Sequence, residues 1–390
     1  MTQPLNAVIQ TLIKTRLRQD IQSMHAYAIQ DAAGFIKLDA MENPHRLRPQ
    51  LQAELGNRLG AVALNRYPDG RIDVLRKALA QYANLPAGYG LMLGNGSDEL
   101  ISLLAMACDV PPAQSGSTQP VAILAPEPGF VMYAMSAKFQ GLRYVGVPLT
   151  PDFELDEAAM LAAIAEHKPA IVYLAYPNNP TANLWDDAVI AKIIEAQGQQ
   201  GGLVVMDEAY QPFAARSWID NIRSAPDKHA HVLLMRTMSK FGLAGVRIGY
   251  MMGQKALIDE VDKLRPPYNI SVLNCECALF ALEHSEVFKR QARDLIAQRA
   301  LLLESLGAMP GVKCWHSDAN MILVRVSGRD SAETSVDFSA AQKTFEGMKA
   351  RGVLVKNVSK MHPLLANCLR LTVGTADENR LMLAALKESL

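Results

Sequence analysis

From about residue 120 the sequence repeats one alternation: a short apolar run rich in β-branched residues, followed by a stretch with helical spacing. The runs are VAILAP, LRYVGVPL, AIVYLAYP, LVVMDEAY, HVLLMRTMS and VRIGYMMG, and between them lie helix candidates such as LDEAAMLAAIAEH and DDAVIAKIIEAQ. Because nearly every position of a run is apolar, both faces of each strand must be covered, as in parallel strands joined by crossover helices. Open sheets of this kind collect their ligands at the carboxyl ends of the strands. The alternation therefore predicts an α/β architecture and where its chemistry should gather.

Beyond this layer, a long helical pattern from Val272 to Leu306 leads to MILVRV, VLVKN and CLRLTVG, with a helical stretch near 338–351 and a terminal helix. These predict a second, smaller α/β domain, and 390 residues suffice for two. PPAQSGSTQP and SGRDSAETSVD read as polar connections. The first twenty residues mix apolar positions with Lys14, Arg16 and Arg18 and read as a surface helix, and no run reaches transmembrane length. Thirty-nine basic residues balance thirty-nine acidic ones, so no net field draws the chain to nucleic acid or to a membrane. Small molecules, or copies of the chain itself, are the expected partners. Cys108, Cys275, Cys277, Cys314 and Cys368 form no paired framework, which fits small core residues in a reducing cytoplasm. His229 and His231 share a face if they begin a strand, but no third ligand follows at metal spacing, so no metal is expected.

Four polar groups fall where the fold brings strand ends together: PNNPTAN after AIVYLAY, DEAY after LVVM, SK after HVLLMRTM, and GNGSDEL at a helix start. In GNGSDEL the glycines permit close backbone approach, and amides near Ser97 and Asp98 could cradle a phosphate, although either residue serves equally well as an ordinary N-cap. Asp207 ends an apolar strand, so its carboxylate needs a cation or donors; a protonated ring nitrogen and a neighbouring arginine both satisfy that need. Lys240 follows another strand, with Thr237, Ser239 and Arg247 around it. A lysine there is commonly a solvated strand end, but one desolvated beside a second cation becomes a usable amine nucleophile. Taken with Asn179 and Tyr210, these groups ask for a ligand with an aldehyde, a basic ring nitrogen, a phenolic oxygen and a phosphate. Pyridoxal 5'-phosphate has all four.

The segments LDAMENP (38–44), RYPDG (66–70), GNGSDE (94–99), EPGFVMY (127–133), YPNNPTAN (176–183), VVMDEAY (204–210), RTMSKFGLAGVRIGY (236–250) and CLRLTVGTADEN (368–379) span nearly the whole chain. On them the sequence resembles the aspartate-aminotransferase-like, fold-type I pyridoxal-phosphate enzymes and, within them, the histidinol-phosphate aminotransferase family. The resemblance implies a large domain (51–290) with a mixed, mostly parallel sheet sandwiched by helices, and a smaller α/β C-terminal domain (291–390). It also implies an N-terminal arm (1–50) associated with the small domain and a dimer partner. Lys240 would form the Schiff base with the cofactor and move the proton; Asp207 would keep the pyridine nitrogen protonated. Asn179 and Tyr210 would bind the phenolic oxygen, and Phe130 would lie on the ring. Ser97, Asp98, Thr237, Ser239 and Arg247 would hold the phosphate, with Tyr67 reaching it from the other subunit of a homodimer.

Arg370, Tyr27 and Lys356 would bind the phosphate of the substrate, Lys356 standing where the family has an arginine and so losing bidentate geometry. SKFGLAGVR is one residue shorter than the common family form, and Phe130 stands where many relatives carry tyrosine or tryptophan. The implied reaction interconverts L-histidinol phosphate and 2-oxoglutarate with imidazole-acetol phosphate and L-glutamate, in histidine biosynthesis. An aromatic amino-acid aminotransferase or a phospho-amino-acid decarboxylase on the same scaffold is the alternative.

Overall fold

All six apolar runs become strands of one seven-stranded sheet in the computed structural model, which describes residues 5–24, 30–111, 114, 116, 119–327 and 338–390. Tyr27, residues 328–337 and half of PPAQSGSTQP lie outside these residues. The chain divides into two units, Met1–Gly34 and Phe35–Leu390. In the first, the helix Leu5–Arg16 exposes Val8, Ile9 and Leu12, in keeping with the surface helix expected there.

The large sheet belongs to the second unit. Its strands are β2 (Tyr89–Gly94), β3 (Ala122–Glu127), β4 (Arg143–Pro148), β5 (Ile171–Ala175), β6 (Leu203–Asp207), β7 (Val232–Thr237) and β8 (Gly249–Gln254), in the order β2-β8-β7-β6-β5-β3-β4. From β4 to β7 all pairings are parallel. Successive side chains alternate between two cores, as a period of two requires: Val172, Leu174, Val204 and Met206 pack with Trp185 and Ile190, while Ile171, Tyr173, Val205 and Leu233 pack with Leu104 and Tyr133. The predicted helices cover these faces. Helix Glu157–His167 starts where Asp156 accepts the Ala159 amide, and helix Asp187–Gln199 where Asp186 accepts the Ala188 amide.

Three expectations change in detail. VRIGYMMG forms β8 but runs antiparallel to β7 and β2, because only short π and 3-10 turns join β7 to β8 and no crossover helix carries the chain back. The long helical pattern is two helices, Val272–Glu283 and Ser285–Gly307, broken at His284. The first packs against helices Pro49–Gly60 and Arg71–Tyr82 and the second against the C-terminal elements, so one continuous axis cannot serve both. His229 closes a 3-10 turn instead of starting a strand, and a ring nitrogen of His231 lies 2.9 Å from the Ile194 carbonyl oxygen.

A smaller antiparallel sheet is built from β9 (Val312–Cys314), β10 (Met321–Val326), β12 (Lys356–Asn357) and β13 (Cys368–Thr372), in the order β12-β13-β10-β9. VLVKN is thus divided: its first part, β11 (Val353–Leu354), instead pairs in parallel with β1 (Ile36–Lys37). Two more hydrogen bonds, Leu38 N to Leu354 O and Thr372 N to Leu38 O, tie the following residues to this layer. The segment 38–43 is thereby delivered to the carboxyl edge of the large sheet.

Candidate active site

At that edge the loops after β5, β6 and β7, the helix after β2 and the segment 40–42 enclose a cavity of about 360 Å³. Ten residues singled out in the sequence line it. Asn179, Asp207, Tyr210 and Lys240 contribute to its interior, as does Phe130. Ser97, Asp98, Thr237, Ser239 and Arg247 form one end.

Asp207 ends β6 with its carboxylate buried. Burial pushes its pKa up to about 6, opposed by the Tyr133 hydroxyl, which donates to Oδ2 at 2.7 Å, and by the Ala209 amide, which donates to Oδ1 at 3.0 Å. Lys240 follows β7, and its Nζ donates to the Ala40 carbonyl at 2.9 Å, 5.8 Å from the centroid of the Tyr210 ring. Desolvation and then the Arg370 cation push its pKa down to about 7; Arg247 acts in the same direction and Glu42 against it. With a pKa of about 7, about half of this amine is uncharged at neutral pH, against well under a hundredth for an ordinary lysine. Burial holds the Tyr210 phenol in its protonated form.

The other end of the cavity is built for an anion. Gly96, with φ +81°, turns the chain into the helix Ser97–Cys108, and that first turn has no side-chain cap. Its free amides and the positive end of the helix face the Arg247 guanidinium. A Cβ on Gly96 would lie 2.6 Å from Arg247 Nη2, and one on Gly249 would lie 2.6 Å from Ser97 N, so both glycines are needed for this approach. Ser239 N donates to Thr237 Oγ1 at 3.1 Å, and Arg247 Nη1 donates to Ser239 Oγ at 3.4 Å, closing the short Lys240-to-Arg247 turn. Arg247 itself is left-handed, at φ +52°. Asp98 Oδ2 lies 3.6 Å from its guanidinium.

The substrate candidates stand differently. Arg370, buried on β13, donates to Asn179 Oδ1 and to the Asp39 carbonyl, both at 2.8 Å, so it borders the cavity through Asn179. Lys356 lies directly opposite Arg370 across the β12–β13 pair, which puts the two cations on one face. Tyr67 is 78% exposed, stacks on Tyr268 and does not line the cavity of its own chain. Tyr27 lies outside the described residues. Two groups at the site carry no role in the sequence reading. One is the Ala40 carbonyl, invisible to any motif because it is backbone. The other is Tyr133, in the first turn of the helix Met132–Gln140 and three residues after Phe130, whose ring meets it edge-on.

A sheet edge that pairs a buried carboxylate with a lysine of lowered proton affinity, beside an anion cradle, suits an enzyme that works through a phosphorylated carbonyl compound. The class is established by comparison: the chain belongs to the aminotransferase class I and II family, whose model matches residues 34–386. It is 68% identical over 390 residues, 100% of both chains, to histidinol-phosphate aminotransferase from Polaromonas naphthalenivorans. To the histidinol-phosphate aminotransferase of Methylibium petroleiphilum it is 66% identical over 371 residues, 95% of this chain and 94% of the other. The solved histidinol-phosphate aminotransferase from Sinorhizobium meliloti, in complex with pyridoxal-5'-phosphate, has the same fold, with a TM-score of 0.80, 24% identity and coverage of 96% and 97%.

Proposed function

We propose that the chain transfers an amino group between L-histidinol phosphate and 2-oxoglutarate, using pyridoxal 5'-phosphate in a ping-pong cycle. The observation that carries this reading is the placement of Lys240 and Asp207 on one cavity whose far end is the Gly96–Ser97–Arg247 cradle. The relatives above supply the substrate. The cavity fits the cofactor: its volume of about 360 Å³ suits a small aromatic phosphate, and its donors match each polar group of that molecule. When bound, the cofactor supplies a carbonyl that accepts the amino group and an electron-withdrawing ring that eases loss of the neighbouring proton.

The protein's own groups do the rest. Asp207, as a carboxylate lining the cavity, would pair with the ring nitrogen and favour its protonated form. Asn179 and Tyr210 would hydrogen-bond the phenolic oxygen, and Phe130 would cover the ring. The first-turn amides at Ser97 and Asp98, with Thr237, Ser239 and Arg247, hold the phosphate. Lys240, whose lowered proton affinity leaves a usable fraction of free amine, would hold the cofactor at its carbonyl and would take and return the proton at the substrate's amine-bearing carbon. Arg370, with Lys356 opposite it and Tyr27, binds the phosphate of the substrate.

The working unit in this reading is a cytoplasmic homodimer with a large domain (51–290), a small domain (291–390) and an arm (1–50). Five free cysteines support a reducing compartment. The exposed Tyr67–Tyr268 stack, away from its own cavity, supports Tyr67 serving the partner's phosphate site. The pairing of β1 with β11 supports an arm joined to the small domain.

The test is the visible spectrum of the cofactor-loaded protein when L-histidinol phosphate is added without a keto acid. Conversion to a pyridoxamine-like spectrum, faster than with phenylalanine, is expected. A spectrum that responds to phenylalanine but not to L-histidinol phosphate would assign the chain to aromatic amino acids instead.

A further inference from the structure

Asp207 is a buried carboxylate with no ion pair among the described residues; its partners there are one backbone amide and one phenol. That phenol, Tyr133, is itself buried on the helix Met132–Gln140, which follows β3. Its ring lies flat on Tyr173 of β5, with centroids 4.3 Å apart and planes inclined by 9°. Phe130 meets it edge-on at 5.6 Å, and Phe130 also lines the cavity. A ring held on both sides leaves its hydroxyl little freedom, and the 2.7 Å contact to Oδ2 is a short, charge-assisted hydrogen bond. Burial and the neighbouring carboxylate keep this phenol protonated, so it is always the donor.

We propose that Tyr133 is a positioning residue for Asp207: its hydroxyl sets the rotation of the carboxylate and holds it charged towards the cavity. The proposal rests on the reading of Asp207 as partner to the cofactor's ring nitrogen. Apart from Tyr133, the titratable groups around Asp207 are Tyr173 on β5, Asp98 at the helix start, Glu208 next along the chain, and Tyr210 and Lys240 across the cavity. Asp98 and Glu208 disfavour its charge, while the Tyr133 hydroxyl is the strongest group favouring it. Phe130, just before the helix, and Tyr133, in its first turn, thus divide two tasks, a ring at the cavity and a donor behind it.

The test uses Tyr133→Phe, which keeps both ring contacts and removes only the donor, with Tyr173→Phe as control. Tyr173 carries a buried hydroxyl with no hydrogen-bond partner among the described residues and sits in the same stack. The Asp207 carboxyl is followed in the cofactor-free full-length protein by infrared difference spectra against Asp207→Asn, as a function of pH. Loss of one hydrogen bond to a charged group should raise the midpoint by about one pH unit, roughly a tenfold change in the ionisation constant. Tyr173→Phe should leave it in place. In the loaded enzyme, Tyr133→Phe should weaken pyridoxal phosphate binding and Tyr173→Phe should not. A midpoint unmoved by Tyr133→Phe, or moved equally by Tyr173→Phe, overturns the proposal. If instead Tyr133→Phe moves the midpoint while Asp207→Asn binds cofactor with an unaltered spectrum, Tyr133 still positions Asp207 but Asp207 does not face the ring.

Discussion

Replacing Lys240 by methionine should stabilise the cofactor-free protein near neutral pH, and the gain should fade as the pH rises. Lys240 has its pKa lowered from 10.5 to about 7 by burial and by the Arg370 and Arg247 cations. At about 1.36 kcal/mol per unit, the charged form is disfavoured by roughly 5 kcal/mol relative to the unfolded chain. The sign follows from proton counts. Between pH 7 and 10.5 the unfolded chain binds a proton that the folded chain lacks, so stability rises with pH across that window. It is lost as pH falls through the folded pKa. Between pH 9.5 and pH 7 the loss integrates to about 3 kcal/mol. Methionine retains most of the aliphatic stem and cannot ionise, and every other titrating group is common to both proteins. Urea unfolding of the two proteins, at one protein concentration and at pH 7, 8 and 9.5, measures the difference directly. A stability difference that stays constant from pH 7 to 9.5 would mean that Lys240 ionises like a surface lysine, and the case for an uncharged amine would fall.

Gly96→Ala should weaken the affinity of the cofactor-free protein for pyridoxal phosphate by about tenfold, or about 1.4 kcal/mol, because the added Cβ would meet Arg247 Nη2 at 2.6 Å in a φ +81° turn; equal affinity in an equilibrium titration would remove the cradle from the site. Arg236→Met should lower stability by about 3–5 kcal/mol in urea unfolding, since Arg236 is 2.8 Å from the fully buried Glu208 and its loss leaves that carboxylate uncompensated. The double variant Arg236→Met with Glu208→Gln should recover much of that loss, and failure to recover would place the effect in packing and not in charge.

The six apolar runs were legible as strands because a strand covered on both faces has no polar position to spare. The helices in LDEAAMLAAIAEH and DDAVIAKIIEAQ were legible from their spacing, and the structure shows each starting at a local cap, Asp156 and Asp186, within three residues of the amide it serves. Nine of the cavity residues could be named from the sequence because open parallel sheets gather their functional groups at the carboxyl ends of strands, where PNNPTAN, DEAY and SK each follow a strand directly, and Phe130 was added by the family resemblance alone. The direction of β8 was not legible, since one apolar run pairs equally well either way and the length of the connecting turn decides. The single-residue break at His284 was equally hidden, because helical spacing continues across it.

What the sequence determined by itself is therefore the α/β layering, the strand ends and the set of chemically active side chains. Only the tertiary structure decided the environment of those side chains. Lys240 owes its lowered proton affinity to desolvation and to Arg370, 130 residues away in sequence, and Asp207 is held by Tyr133, 74 residues before it. Desolvation and charge act through space, so the spacing of residues along the chain carries no record of them.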